Sequence, residues 1–109
     1  MPGQIRQCTP DELAKFEVFP LPTSGRVALV PIAADQYLID CADVSGADLK
    51  RLEDFWNRME GGFYPFRYES KPHRFPHCHF RQDTASFVVH GPNRCGVKFV
   101  LEVLPAYET

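Results

Sequence analysis

The stretch from Ser45 to Gly62 limits the possible folds more than any other part of the chain. Leu49, Leu52, Trp56 and Met59 recur at intervals of three and four, a spacing that lines one side of an α-helix and neither face of a strand. Ser45 stands where an N-cap belongs, with Asp48 three residues on, as in a capping box. Gly61-Gly62 supplies the stop, because a left-handed residue after the last turn costs glycine nothing. The spacing predicts a helix over 46–60 that lays its Trp56 side on a sheet. Asp54 and Arg58 are expected to form an exposed i,i+4 pair, worth about 0.3–0.5 kcal/mol.

The segments around this helix alternate with a period of two. Arg26 to Ile32 is a candidate strand whose two faces are both apolar, which predicts burial on both sides or an interface. Gln36 to Asp40 is a second short strand. Phe63 to Tyr68 is aromatic-rich, and Pro65 puts it at an edge or a bulge. Arg74 to Gln82 alternates, with Cys78 and Phe80 on one face and His77, His79 and Arg81 on the other. Ser86 to His90 and Val97 to Leu104 complete the set, the last with Val97, Phe99, Leu101 and Val103 inward. Earlier in the chain, Thr9-Pro10-Asp11-Glu12 reads as a short helix start, Phe16 to Phe19 alternates, and Pro20, Pro22 and Gly25 mark a turn. Five to seven short strands around one helix define an α+β class: a small antiparallel β-sandwich or split barrel with one main helix packed on it.

The 109 residues suit a single domain spanning 1–109. With 44% apolar and 24% charged residues, disorder, a coiled coil and a collagen-like fibre are excluded. The start of the chain has no apolar core of a secretory signal and no run long enough to span a bilayer, so assembly in the cytosol is expected. The four cysteines, Cys8, Cys41, Cys78 and Cys95, have no Cys-x-x-Cys spacing and are expected to be free thiols packed as small hydrophobes.

The net charge of −2 is unevenly spread. Residues 1–66 hold six basic against ten acidic side chains, residues 67–98 hold six against two, and the last eleven residues bring −2. A domain with an acidic part and a basic part can stack head to tail on copies of itself. The basic stretch is too thin for a nucleic-acid footprint.

His77 and His79 are two apart, so on a strand they share a face, a geometry that metal sites use. His90 or Cys95 could complete a set, but no carboxylate is spaced to do so, and Cys78 faces away from both rings. No Gly-x-Ser-x-Gly elbow and no phosphate loop is present. Catalytic residues, cofactor and metal are therefore all expected to be absent. The alternative is a small metal-binding domain or enzyme using His77 and His79. Five aromatic rings between Phe63 and Phe75 exceed what one inward strand face can take, which points to a protein–protein interface.

The segment from Asp35 to Leu104 resembles a known family. The pieces that carry the resemblance are Asp48-Leu49, Leu52-Glu53-Asp54-Phe55-Trp56, Gly61-Gly62-Phe63, Pro65-Phe66-Arg67-Tyr68, His77-Cys78-His79 and Phe99-Val100-Leu101-Glu102-Val103. In this order they resemble the lambda-type phage minor tail protein M family, which is similar in fold to the N-terminal domain of distal tail proteins. The resemblance implies a non-catalytic tail-tip protein in a virion tail, assembled in the bacterial host cytoplasm. It implies a ring, hexameric in expectation, between the tail tube and the host-facing tip. The partners would be copies of itself and neighbouring tube and tip proteins, with no membrane and no sequence-specific nucleic acid. Phe63, Tyr64, Arg67, Tyr68, Arg74, His77 and His79 are the expected contact residues.

Overall fold

The structure, a computed structural model, describes residues 10–70, 73–81, 84–92 and 94–104. A short helix α1 (Pro10–Ala14) is followed by strands β1 (Arg26–Ala33) and β2 (Gln36–Val44), the main helix α2 (Gly46–Arg58), and strands β3 (Phe66–Ser70), β4 (His73–Phe80), β5 (Ser86–Val89) and β6 (Cys95–Val103). Thr9, the expected cap of α1, Gln82, the expected end of the His77 strand, and Asn93 lie outside the described residues. The class is α+β, a small antiparallel β fold with one main helix packed on it, as the alternation of periods required.

All six strands join one sheet in the order β1-β2-β6-β4-β3, with β5 on β6, and every pairing between them is antiparallel. β4 and β5 lie end to end along the same side of β6, and the register slips by three residues between them. The outer edge of β3 is covered: Val18 bridges Arg67 in parallel, Phe19 N–H donates to Arg67 C=O at 2.8 Å, and Arg67 N–H donates to Glu17 C=O at 2.8 Å. The alternating segment Phe16–Phe19 thus serves as a short lid strand.

One face of the sheet carries the core. Ile39 and Cys41 of β2, Val97, Phe99 and Leu101 of β6, Cys78 and Phe80 of β4, and Phe66 and Tyr68 of β3 are all buried there. Phe19 lies at the centre, within 6.2 Å, centroid to centroid, of Phe55, Phe66, Tyr68, Phe80 and Phe99. Edge-to-face contacts of this kind add to the area that each ring removes from water. Most of the aromatic surplus is therefore core: Tyr68 is fully buried, and Phe75 stacks on Tyr37 at 4.9 Å.

The helix corrects the sequence reading in three respects. It ends at Arg58, with Met59 as C-cap. The buried side is centred on Leu52, Phe55 and Met59, whereas Leu49 and Trp56 are partly exposed at its flank. Trp56 still stacks on Phe99 and packs on Phe80. The expected Asp54–Arg58 pair is not formed: Asp54 meets Lys50, and Arg58 reaches Glu17 on the lid strand. Arg58 also lies over the Phe55 ring, so a tertiary partner outcompetes the helical one.

Gly25 opens β1 against a bulge in β2. One extra residue in β2 between Cys41 and Val44 shifts the register, with Asp43 at φ +55°. A Cβ at Gly25 would overlap the carbonyl oxygen of Ala42, and Gly25 itself has φ +69°. The turn before β1 therefore admits glycine on both steric and backbone grounds.

Candidate functional site

Among the described residues, two strands remain unpaired on one side. β1 pairs with β2 alone, and β5 with β6 alone. Side chains on both faces of β1 are largely exposed, among them Val27, Val30 and Ile32. Burial on both sides, one of the two readings of this strand, is thus overturned: at the edge of a sheet there is no neighbour to cover it. The bulge at Ile32 and the imino nitrogen of Pro31 interrupt the far end of β1. On β5, Val88 is exposed and Val89 is 66% exposed. Edge strands this apolar invite pairing with another chain unless something covers them.

The expected contact residues separate into surface and interior. Phe63, 73% exposed, and Tyr64 project from the loop after α2 and pack edge to face on each other at 4.8 Å. That loop is held by its backbone. Glu60 and Gly61 adopt positive φ, Gly61 N–H donates to Trp56 C=O, and Tyr64 N–H donates to Met59 C=O at 3.0 Å. Arg74 is exposed, 4.0 Å from Glu69. Arg67 is turned to internal work: its Nε donates to Phe16 C=O at 3.2 Å, fixing the lid strand. Tyr68 and His77 are buried and offer no surface. The one-residue bulge in β4 opposite Arg67 lets both Phe75 and Cys78 face the core, and places His77 beneath the Phe16 ring at 5.5 Å.

His79 joins the sheet to the aromatic loop. Its Nδ1 lies 3.1 Å from Gly62 C=O and its Nε2 lies 2.9 Å from Glu102 Oε1. Both ring nitrogens thus face oxygen atoms, one of the backbone and one of a carboxylate. The His79 hydrogen bond, more than any other influence, holds the Glu102 carboxyl below its usual range. Gln36 also donates to Glu102, and Arg81 donates to Gln36. With both nitrogens of His79 engaged and His77 under Phe16, the two rings do not converge on a common point. Among the described residues no group of three or more His, Cys, Asp or Glu is placed to hold a metal ion.

Asp48 is the residue whose role the spacing misread. Ser45 accepts from Asp48 N–H as an N-cap should. The Asp48 carboxylate, however, turns away from Ser45, is 3% exposed, and accepts from Thr23 N–H, Ser24 N–H, the Ser24 hydroxyl and Arg51. It ties the turn before β1 to the N-terminus of α2. Ser24 and Thr23 lie 24 and 25 residues away, a distance that local spacing does not report. Cys41, Cys78 and Cys95 are buried free thiols, and burial pushes the Cys41 thiol up to about 12.

Arg67, Glu69, Arg74, Phe75 and Pro76 line a depression of about 240 Å³, below the roughly 300–1,000 Å³ of sites that enclose small molecules. Among the described residues no helix is long and apolar enough to cross a membrane. No protein-family model, curated protein or solved structure matches the chain. The described residues define a small α+β fold with a packed aromatic core, an unpaired apolar sheet edge and an exposed aromatic loop tied by backbone hydrogen bonds.

Proposed function

We propose that the chain is a structural subunit of a phage or prophage tail tip, one copy of a closed ring that joins the tail tube to the distal tip. The observation that carries this reading is apolar surface left bare on a well-packed domain: β1 on both faces, Val88 and Val89 on β5, and Phe63-Tyr64 on a tied loop. Exposed apolar and aromatic surface of this kind marks the centre of protein–protein contacts. The acidic and basic division of the chain supports a head-to-tail contact, the type that closes rings. The resemblance of the helix-to-strand pattern to minor tail protein M supports the setting.

The assembled particle provides the test. Purified tails imaged by electron microscopy should show a ring of this chain beside the tube, and deleting its gene should abolish normal tails. Mature tails that lack the chain, or that form normally without it, would refute the reading. A second check concerns His77 and His79. Elemental analysis of purified protein is expected to find no stoichiometric zinc or iron. A metal near one per chain, lost in the His77→Ala, His79→Ala double variant, would favour a metal-binding domain.

A further inference from the structure

The two open edges lie at the same level of the sheet. Across four strands the register runs Ala28, Asp40, Lys98, Ser86 on one face and Val27, Cys41, Val97, Phe87 on the other. At this level the sheet is β1-β2-β6-β5, with no further strand on either side among the described residues. The two edges also differ in charge. The β1–β2 hairpin holds Arg26 against Asp35, Asp40 and Asp43, whereas residues 84–98 hold Arg94 and Lys98 and no carboxylate.

We propose that β5 of one copy adds to β1 of the next, so that the sheet continues from subunit to subunit. The contact deepens the ring-subunit reading and rests on it. Strand direction fits: β1 runs parallel to β6 and β5 antiparallel to it, so a copy placed alongside without inversion presents its β1 antiparallel to β5. That keeps the pairing sense of the whole sheet. Length fits as well. β5 has four residues, and the part of β1 before Pro31, Arg26–Val30, is one residue longer. Beyond it, Pro31 and the Ile32 bulge stop a longer, indiscriminate pairing. The contact would give backbone partners to both edges, as in strand addition to a sheet. It would also cover Val27, Val30, Val88 and Val89, and set the acidic hairpin against the basic segment. A two-fold β1–β1 contact would oppose two acidic hairpins and leave β5 bare.

Single-cysteine variants distinguish these arrangements. In a Cys8→Ser background the described native thiols are buried, so Ala28→Cys and Ser86→Cys, both at exposed sites, would each carry one reactive thiol. A short bis-maleimide is added to each variant alone and to an equimolar mixture of the full chains. The expected result is a crosslinked dimer in the mixture and none in either variant alone. Val88→Lys in the Ser86→Cys chain, with folding checked by circular dichroism, should abolish the mixed product. Dimer from Ala28→Cys alone, or no mixed dimer at the highest soluble concentration, overturns the contact. The crosslink and the tail experiment fail separately. A mixed dimer from a chain absent from tails removes the tail reading and keeps the contact, whereas a tail-borne chain with no mixed dimer does the reverse.

Discussion

Phe55→Ala is expected to cost about 3–5 kcal/mol of folding stability, the range for emptying a buried aromatic site. Phe55 is fully buried, and its ring packs edge to face on Phe19, Phe66 and Phe80. Those rings are held by two different strands and the lid segment, so the site cannot collapse around the smaller side chain. Trp56→Ala next to it should cost less, about 1–2 kcal/mol, because part of the indole already faces water and only its buried part contributes. Urea denaturation of the two variants beside the parent protein checks both values. A greater loss at Trp56 than at Phe55 would mean that α2 is rotated on the sheet relative to the arrangement described above.

Asp48→Ala should cost about 1–3 kcal/mol at neutral pH, since it leaves the Thr23 and Ser24 amides and the Ser24 hydroxyl without their acceptor. The effect is linked to pH. Burial by itself raises the pKa of this carboxyl, but the hydrogen bonds from Ser24, Arg51 and Thr23 together outweigh it and hold the group below the ordinary carboxylate range. A group whose pKa is lower folded than unfolded contributes stability that is fully present above the unfolded value, roughly 3.9. That contribution is lost as pH falls through the folded value. The parent protein should therefore lose stability on acidification below about pH 4, and the Asp48→Ala variant should lose less. The difference between their urea midpoints should shrink from pH 7 toward pH 2. A gap that stays constant over this range would show that the carboxylate charge contributes nothing and that the loss is one of packing.

The α+β class, the main helix and most of the strands were legible in the sequence because each rests on local periodicity. The 3–4 spacing from Leu49 to Met59 and the alternation along Cys95–Val103 report which side of an element faces the core. The same logic separated Cys78 and Phe80 from His77 and His79. It missed where rotation is fine-tuned: the stripe through Trp56 and the stripe through Phe55 differ by one residue, and the position of Phe19, far away in the sequence, decided between them. It also extended the aromatic strand back to Phe63. Hydrogen bonds from Gly61 and Tyr64 to the end of α2 hold Phe63 and Tyr64 in a loop instead.

The candidate site was legible only in part. Phe63, Tyr64 and Arg74 are at the surface, as an interface requires, but Tyr68 fills the core, and Arg67 and His77 secure the segment around Phe16. Residue type is the same in both settings, so composition cannot separate an interface ring from a core ring. By itself the sequence determined which residues alternate, that the helix is capped at Ser45, and that β1 is apolar on both sides. Tertiary structure alone decided that β1 and β5 end the sheet, that Asp48 clasps the turn at Thr23-Ser24, and that His79 holds the Gly62 loop. Each of these depends on strand order or on partners more than fifteen residues apart, and a periodic pattern records which way a side chain faces but not what stands opposite it.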